Sequence, residues 1–384
     1  MIEQLKKSFK DKYNTKPQIL KSPARINLIG EHVDYCNGLV MPAAINKNLY
    51  FAFAKNNSKN ITVRSENYDN HFSFSLDNMS GTLDGNWGIY IHAILDLLLE
   101  ERHKIEGFDC IMLGDIPIGA GLSSSAALCC GFLSVLNELM NLKISNFEIA
   151  LIAQNAEVCI GLNCGLMDQY AVLFGKKNKF IQLDCQNLTH QYLELDLGNY
   201  ELVLIDSKIE HDLKADSFYN QKRMACEDAV DRIAKKYPKV SSLRDVDNNI
   251  LSSSINDLSL EAYSSANYVI NENKRVKEVA NAIINKDLKT IGKKLFETHD
   301  GLSNTFGVST KEMDYLVELA QKEPTILGAR MMGGGFGGCT LNLIESDKKE
   351  QVLERIQEKH FKKTKIQAEI YYIAIENGIE IIKE

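Results

Sequence analysis

The sequence predicts an α+β protein of two domains, and its length, its composition and the order of its elements lead to that prediction. Its 384 residues amount to roughly two domains at about 150 residues each. Apolar residues make up 45% and charged residues 25% of the chain, which is typical of globular proteins and excludes a disordered or fibrous chain. Strands mixed with pairs of helices in both halves are typical of α+β layers. The order of elements predicts a boundary near residue 195, with domains over 1–195 and 196–384.

Hydrophobic patterns predict the individual elements of the first half. Phe72, Phe74 and Leu76 alternate with serines, as in a half-buried strand. Ser145 and Glu148 have the spacing of a capping box at the start of a helix. The expected strands are 49–55, 61–65, 72–76, 108–113 and 180–184, and the expected helices lie around 91–98, 124–140 and 146–159.

The second half shows the same kinds of pattern. Ser309 and Glu312 have the spacing of another capping box. Asn377-Gly378 separates two apolar runs at 371–375 and 379–382, which predicts a hairpin at the end of the chain. The other expected elements are strands at 201–206 and 339–344 and helices over roughly 217–236, 259–285 and 309–322.

Charge and cysteine content exclude several classes of protein. Lys and Arg total 44 against 51 Asp and Glu, a net charge of −7 that argues against a nucleic-acid binder. The nine cysteines are odd in number and contain no C-x-x-C pair, which favours free thiols in a reducing compartment. No apolar leader begins the chain, and the longest apolar-rich run, 126–136, is far shorter than the ~20 residues of a membrane span. We expect a cytoplasmic protein with neither a membrane nor a nucleic-acid partner.

A glycine- and serine-rich stretch lies between a predicted strand and a predicted helix at 114–128. Glycines allow the backbone to approach an anion, and the first turn of a helix offers free N–H groups and the positive end of its dipole. The three serines Ser123, Ser124 and Ser125 can bond phosphate oxygens or a magnesium ion. The alternative is a plain helix cap, for which serine is also suited. No Gly-Lys-Ser/Thr follows, so this is not a Walker A loop.

A second glycine-rich stretch spans 331–339. Gly333, Gly335 and Gly338 satisfy G-x-G-x-x-G, the dinucleotide fingerprint, but that motif requires a helix after it. A strand is expected at 339–344 instead, which disfavours a dehydrogenase. Two interpretations of this stretch remain: a tight turn, or a backbone that packs against a ligand. Five glycines in six positions are more than a turn needs, which favours packing against a ligand.

A polar cluster occupies 23–35, with Arg25, Glu31, His32, Asp34 and Tyr35 close together. Carboxylates accept hydrogen bonds from neighbouring hydroxyls, while His and Tyr can donate or accept, so the cluster suits a polyol. A solvated loop is the alternative. No second histidine lies at ligand spacing from His32, which disfavours a metal ion here.

In this order the three stretches resemble the galactokinases of the GHMP kinase superfamily. The cluster at 24–35 is similar to the galactokinase signature, the serine-rich loop to the superfamily's phosphate loop, and the second glycine stretch to its C-terminal motif. Segments 164–169 and 298–302 extend the resemblance over nearly the whole chain. It implies a two-domain GHMP kinase fold, with an N-terminal domain of the ribosomal-protein-S5 type, a ferredoxin-like C-terminal domain and the active site between them.

The resemblance also implies an activity and its residues. The family transfers the γ-phosphoryl group of ATP to the C1 hydroxyl of D-galactose with Mg²⁺, and we expect a monomer. Asp168 corresponds to the catalytic aspartate and Arg25 to the arginine that offsets developing charge. The sugar-binding positions are Glu31, His32, Val33, Asp34, Gly165 and Tyr219. The ATP-binding positions are Ser65, Trp87, Gly119, Ala120, Gly121, Leu122, Ser123, Ser124 and Ser125, and the magnesium ligands are Ser125 and Glu157.

Some positions depart from the family pattern and leave alternatives open. Ala24 replaces the usual Gly, Cys36 replaces the usual Asn, and the interval from Glu157 to Asp168 is one residue short. The last two departures resemble N-acetylgalactosamine kinases, which are the first alternative. Tyr219 and the pair Asn163-Cys164 favour galactose over that sugar. A non-catalytic galactose and ATP sensor is the second alternative, and the complete serine-rich loop and the presence of Asp168 argue against it.

Overall fold

A computed structural model describes residues 1–68, 70–77, 87–209 and 214–383. The helices are α1 Ile2–Tyr13, α2 Gly88–Glu100, α3 Ser124–Met140, α4 Asn146–Cys159, α5 Met167–Phe174, α6 Lys214–Lys236, α7 Asn248–Ser253, α8 Leu260–Ile284, α9 Leu288–Asp300, α10 Lys311–Gln321 and α11 Lys349–Thr364. The strands are β1 Gln18–Asn27, β2 Leu39–Val40, β3 Pro42–Lys55, β4 Asn60–Ser65, β5 Asn70–Ser75, β6 Phe108–Gly114, β7 Lys179–Asp184, β8 Thr189–Glu194, β9 Tyr200–Asp206, β10 Ile326–Met331, β11 Cys339–Glu345, β12 Glu369–Tyr372 and β13 Glu380–Ile382.

The first half is built around a six-stranded sheet in the order β13-β1-β3-β6-β4-β5. Side chains alternate between its two faces, as the pleat requires. On β3, Phe51 and Phe53 face a core shared with α2, α3 and α4. Ala52 faces the other side, where Leu5 and Phe9 of α1 pack. Strands β2, β7 and β8 form a separate three-stranded sheet.

The second half contains a four-stranded sheet in the order β10-β11-β9-β12. All its pairs are antiparallel, and α11 connects β11 to β12, so the strands and their helices follow the β-α-β-β-α-β pattern of ferredoxin-like domains. Val203 and Ile205 of β9 pack against α10 and α11 on one face. The α+β class predicted from the sequence is therefore confirmed.

The predicted hairpin at the end of the chain is wrong. Strand β12 pairs with β9 in the second sheet, whereas β13 pairs with β1 in the first sheet. The Asn377 carboxamide oxygen accepts from the Lys177 N–H at 2.9 Å, and the Gly378 N–H donates to the Gly175 carbonyl at 2.9 Å. The Asn-Gly pair therefore contacts the N-terminal half of the chain. The two strands beside it do not pair with each other, because each one pairs at the edge of a different sheet. A turn motif does not encode that choice.

The two predicted capping boxes have different outcomes. Ser145 and Glu148 form the box at the start of α4, with each side chain bonded to the backbone of the other. At the start of α10 the prediction is wrong, because the helix begins one residue later than expected. Thr310 is the cap and accepts from the Met313 N–H at 3.2 Å.

Each of the other predicted strands and helices has a counterpart in the structure, most with ends shifted by a few residues; β3 begins at Pro42, well before the expected strand at 49–55. Several elements of the structure were not predicted from the sequence patterns, among them α1, β1, α5, α9, β10 and α11. The predicted boundary near residue 195 stays a prediction; it falls between the end of β8 and the start of β9. Strand β13 returns to the first sheet from the C-terminal end of the described chain.

Candidate active site

A cleft of about 220 Å³ lies where the β1–β2 connection meets the loop before α3, the start of α5 and the loop between β10 and β11. It brings together most of the residues selected from the sequence. Among the predicted sugar-binding positions Val33 is the exception, because its side chain is fully buried in the core of the first half. Of the predicted ATP-binding positions, Gly121, Ser123 and Ser125 line this cleft. The cleft is lined by Arg25, Glu31, His32, Asp34, Gly121, Ser123, Ser125, Glu157, Leu162, Cys164, Gly165, Met167, Asp168, Tyr219, Gly333 and Gly334.

Arg25 and Asp168 form an ion pair at the centre of the cleft. The Arg25 Nε atom donates to Asp168 Oδ1 at 2.7 Å and Nη2 donates to Oδ2 at 3.2 Å, while Nη1 donates to the Gly121 carbonyl at 2.6 Å. Burial opposes the charge on Arg25, but the carboxylates of Asp168 and Glu31 raise its pKa above the ordinary value. Asp168 lies in the first turn of α5, where the helix dipole favours a negative charge.

The serine-rich loop leads into α3, which begins at Ser124. Ser123 precedes the helix, but its hydroxyl donates to Asp168 Oδ2 and makes no side-chain cap. The serines therefore do not form the plain helix cap considered as an alternative. The first N–H groups of α3 stay available to an anion from outside the helix. Ala120 and Leu122 are buried and contribute backbone: their carbonyls accept from Cys339 N–H and Arg25 N–H.

The second glycine-rich stretch packs against this loop and also lines the cleft. A Cβ on Gly121 would lie 2.9 Å from the Met332 carbonyl oxygen, and one on Gly338 would lie 3.0 Å from Ala120 backbone atoms. The backbone of the serine-rich loop and the backbone of the second glycine-rich stretch are in contact here, closer than they could be if these glycines carried side chains. Gly333 and Gly334 lie on the cleft wall. The stretch is thus a compact turn whose backbone forms part of the cleft wall, and its packing against a ligand stays a prediction.

Glu31 is a buried carboxylate on the cleft wall. Its Oε1 atom accepts from Arg330 Nη1 at 2.9 Å and from the Gly333 N–H at 3.0 Å. Burial opposes ionisation, but Arg330 and Arg25 outweigh it and lower the pKa of Glu31. This side chain is therefore an ionised acceptor of hydrogen bonds at neutral pH.

His32 is neutral and its tautomer follows from its neighbours. Burial lowers its pKa to about 4. The Nε2 atom lies 3.1 Å from the Gly334 carbonyl oxygen, which can only accept, so Nε2 carries the hydrogen. Nδ1 then accepts from the Tyr35 hydroxyl at 2.9 Å. The Tyr219 ring, on α6, lies 5.2 Å from the His32 ring and closes this side of the cleft.

Asp34 lies directly against Gly165 at the wall of the cleft. Burial and the nearby charge of Asp168 raise the pKa of Asp34 to about 7. A Cβ on Gly165 would overlap the Asp34 carboxylate, so glycine is needed for this close approach. The cleft thus contains a carboxyl group that is only partly ionised near neutral pH.

Ser125 and Glu157 meet at the side of the cleft nearest α3. Burial raises the pKa of Glu157 to about 7, in opposition to its hydrogen bonds with Ser125, Cys164 and Gln169. The structure brings the two predicted magnesium ligands together although the interval to Asp168 is short. Their hydroxyl and carboxylate oxygens are ligands that suit Mg²⁺. Within the described ranges, no group of three His, Cys, Asp or Glu residues forms a metal cluster.

A second pocket, of about 190 Å³, adjoins the cleft, and Ser125 lines both. Ser65 and Trp87, predicted to line a nucleotide pocket, both lie here. Trp87 is held by a 2.9 Å hydrogen bond from Nε1 to the Asn70 carboxamide and by edge contact with Phe72. The pocket is lined by Leu49, Ser65, Asn67, Tyr68, Trp87, Tyr90, Met112, Gly114, Ile116, Ile118, Ser124, Ser125 and Leu128. Such apolar and aromatic walls suit a flat ring.

Several site residues were missed from the sequence. Tyr68, Tyr90 and Ile116 line the second pocket, and Asn67 grips the Gly114 backbone with bonds of 2.8 and 2.9 Å. Asn67, Tyr68 and Ile116 are brought together by the parallel pairing of β4 with β6, which places Ser65 opposite Met112, whereas Tyr90 lies on α2. No local pattern indicates that pairing, so the sequence carried no signal for them.

Family models match three parts of the chain. The GHMP kinases N terminal domain matches residues 90–176, and GHMP kinases C terminal matches 279–363. The galactokinase galactose-binding signature matches residues 7–55. The Methanococcus jannaschii mevalonate kinase superposes with a TM-score of 0.67 over 94% of this chain and 99% of its own, at 16% identity. The fold and the cleft therefore define a GHMP kinase, as the resemblance implied.

Relatives narrow the class further. The galactokinases of Clostridium perfringens (strain SM101 / Type A) and Fusobacterium nucleatum are each 34% identical, with 98% and 100% of both chains covered. The structure of Lactococcus lactis galactokinase complexed with galactose has a TM-score of 0.95 at 29% identity, over 99% of this chain and 100% of its own. The chain belongs to the galactokinase family. Among the described residues, no helix is long and apolar enough to cross a membrane.

Proposed function

We propose that this protein transfers the γ-phosphoryl group of ATP to the C1 hydroxyl of D-galactose, giving galactose 1-phosphate and ADP. The observation that carries the proposal is the meeting of Asp168 with the uncapped start of α3 in one cleft. A carboxylate that can receive a hydroxyl proton and a helix terminus that can hold phosphates are thus adjacent. Full-length similarity to galactokinases supports the same activity.

The sugar would occupy the first part of the cleft. Glu31 offers an ionised acceptor, and Asp34 offers a second carboxyl group at a short distance from Asp168. His32 and Tyr219 lie beside them, so hydroxyls around a sugar ring can each find a polar partner. Gly165 has no side chain, so the Asp34 carboxylate can lie directly against it at the wall of the cleft.

ATP would bind with its base in the second pocket and its phosphates at Gly119–Ser125. Trp87 and Tyr90 provide aromatic surface for the adenine ring. Ser125 lines both pockets, so the phosphate chain would pass from one to the other at the start of α3. There the N–H groups and the helix dipole favour anions.

Magnesium would be held by Ser125 and Glu157, whose oxygens lie together at this position. When bound, the ion would neutralise charge on the β- and γ-phosphates. The loop contains no lysine that could supply this charge. The raised pKa of Glu157 fits such a role, because a buried carboxyl group without a cation is only partly ionised near neutral pH.

The chemical step depends mainly on positioning and on charge stabilisation. Asp168 receives the proton of the C1 hydroxyl, and the sugar oxygen forms its new bond to the γ-phosphorus. The bond from that phosphorus to the β–γ bridging oxygen breaks, and ADP leaves. Arg25 holds the Asp168 carboxylate in one orientation through two hydrogen bonds and offsets negative charge in the transition state.

We also propose a cytoplasmic location and a monomeric state. All nine cysteines are free thiols, which fits a reducing compartment where ATP is supplied. The cleft draws its walls from both halves of one chain, so a second copy is not needed to complete it.

The test of the proposed function is ADP release by the purified protein with a panel of sugars. We expect release with D-galactose and ATP, and none when either is omitted. Galactose and ATP binding without ADP formation would instead identify a sensor. Turnover of other sugars without galactose would overturn the proposal.

A further inference from the structure

Arg330 is a charged side chain with no exposure to solvent. It lies on β10, one residue before the strand ends, and is among the largest fully buried side chains of the protein. A buried guanidinium is costly unless its donors are all used by good partners. Arg330 does not line the cleft, so its partners define its role.

Arg330 donates four hydrogen bonds, and three of their acceptors belong to the first half of the chain. Nε donates to the Leu28 carbonyl at 2.9 Å, and Nη2 donates to the Asn27 carbonyl. Nη1 donates to Glu31 Oε1 at 2.9 Å and to its neighbour, the Met331 carbonyl, at 2.6 Å. One side chain from the second sheet thus fixes the segment 27–31, which leads into the cleft.

The bond to Glu31 differs from the backbone bonds, because Glu31 itself lines the cleft. Arg330 and the Gly333 N–H both bond to Oε1. The carboxylate is thereby fixed in rotation, and Oε2 is the oxygen left for a ligand. The same guanidinium also favours the ionised form of Glu31 in a buried position.

We propose that Arg330 is a positioning residue for the sugar, which acts by orienting the Glu31 carboxylate and keeping it ionised. The inference rests on the proposed function, since Glu31 is taken there as an acceptor for a sugar hydroxyl. Loss of Arg330 would leave Glu31 in place but free to rotate or to take a proton. Sugar binding would weaken while the nucleotide pocket, formed by other elements, would be unaffected.

The test uses Arg330→Met, Arg330→Lys, Glu31→Gln and the double variant Arg330→Met/Glu31→Gln. We expect Arg330→Met to raise the galactose KM by about tenfold or more, in line with the loss of a charge-assisted hydrogen bond. The KM for ATP should stay close to the wild-type value. Arg330→Lys keeps the charge but not the fork, so its galactose KM should lie between those of the wild type and Arg330→Met.

The double variant separates positioning from a purely structural role. If Arg330 acts through Glu31, adding Arg330→Met to Glu31→Gln should raise the galactose KM little further, because the two effects are not additive. Arg244→Met is the control, since Arg244 is a half-buried arginine that pairs with Asp184 at 3.0 Å, and neither residue lines the cleft. It should leave both KM values unchanged.

Galactose binding measured by isothermal titration calorimetry makes the test independent of turnover. If the wild type binds galactose but releases no ADP, the proposed catalysis fails while the role of Arg330 is still measured as a change in Kd. An unchanged galactose Kd in folded Arg330→Met, or additive effects in the double variant, would overturn the inference. Failure of both Arg330 variants to fold would make Arg330 a structural residue and would also overturn it.

Discussion

Arg25 and Asp168 are 143 positions apart in the sequence and are joined by two parallel hydrogen bonds, of 2.7 and 3.2 Å. The arginine projects from β1 and the aspartate from the first turn of α5. Two-point pairing of this kind fixes the plane of the carboxylate as well as its position. Ser123 adds a third hydrogen bond, to Oδ2. The carboxylate that we propose as proton acceptor is therefore held before any substrate binds.

Asp168→Asn should fold and bind ATP but lose phosphorylation of galactose. The amide cannot accept the hydroxyl proton, and its NH₂ group disrupts the paired bonds with Arg25. We expect a fall in kcat beyond the ~10²–10⁴ usual for general base action alone, because positioning is lost too. ADP release under saturating substrates measures it. More than about a tenth of wild-type turnover would exclude Asp168 as the catalytic carboxylate.

Arg25→Lys should also be severely impaired although the charge is kept. The three donors of lysine sit on one nitrogen, so lysine cannot reproduce the planar fork by which Arg25 holds both Asp168 oxygens and the Gly121 carbonyl in fixed geometry. We expect kcat to fall by about 10²-fold or more, the range seen when one preorganised donor is removed from a transition state. Arg355→Lys is the control, because Arg355 also bonds a carboxylate at two points, to Glu323 at 3.4 and 2.6 Å, and neither residue lines the cleft. Near-normal kinetics in Arg25→Lys would show that Arg25 acts only as a distant charge.

Local patterns predicted many of the strands and helices because side-chain periodicity reports which face is buried. They could not predict which strand pairs with which, and the failed hairpin at 371–382 shows this. Asn377-Gly378 has the chemistry of a tight turn, yet the flanking strands join two different sheets. Partner choice depends on the edges that the rest of the chain presents.

The candidate site was predicted through a resemblance of motifs rather than through local physics. Arg25, Glu31, Asp168 and Ser125 carry recognisable chemistry in recognisable order, and they meet in one cleft. No sequence motif pointed to Arg330. An arginine on a strand is usually predicted to be a surface residue, and its burial is explained only by its partners in the first half of the chain. Buried pairs of this kind are defined only by the fold.

Stability should depend on pH through Asp34. Its pKa is about 7 in the folded protein, above the ordinary value of 3.8, so the folded state binds the proton more tightly. The tighter proton binding stabilises the folded state. This stabilisation is fully present below the pKa that Asp34 has in the unfolded chain and is lost as the pH rises through 7. Asp34→Asn removes the titration. Its Tm, relative to the wild type, should therefore be higher at roughly pH 8 than at roughly pH 5.

Scanning calorimetry without ligands at both pH values measures this difference. Asp34→Asn should also weaken galactose binding, because the carboxylate is lost as an acceptor, so a gain in stability would accompany a loss of function. The same Tm difference at both pH values would show that Asp34 does not titrate in this range.

Turnover should depend strictly on a divalent ion, and Ser125→Ala should raise the magnesium concentration required. Without a lysine in the loop, the phosphates need the charge of the ion. Glu157→Gln should have the same effect, since Glu157 is hydrogen-bonded to Ser125. We expect several-fold increases in the magnesium concentration at half-maximal rate, with smaller changes in the galactose KM. An unchanged magnesium titration in Ser125→Ala would point to Ser123 or Ser124 as the ligand.

The protein should prefer D-galactose to N-acetylgalactosamine. An acetamido group at the sugar 2-position would have to fit next to Asp168, where Cys164 lines the cleft. This wall is fixed, because the Asn163 carbonyl accepts from Arg223 Nη1 at 2.8 Å and the Cys164 thiol donates to Glu157 at 3.2 Å. A steric clash discriminates better than a missing contact. We expect a preference of about tenfold or more in kcat/KM, about 1.4 kcal/mol.

A competition assay with both sugars measures the preference, and the double variant Asn163→Gly/Cys164→Gly tests its cause. Removing the two side chains should make space beside Asp168. The preference for galactose in kcat/KM should then become smaller, mainly because kcat/KM for N-acetylgalactosamine increases. Tyr219→Phe is the comparison variant: loss of its hydroxyl leaves the wall beside Asp168 intact, so the preference for galactose should change less than in the double variant. Equal or better turnover of N-acetylgalactosamine by the wild type would contradict the prediction and favour the rival sugar.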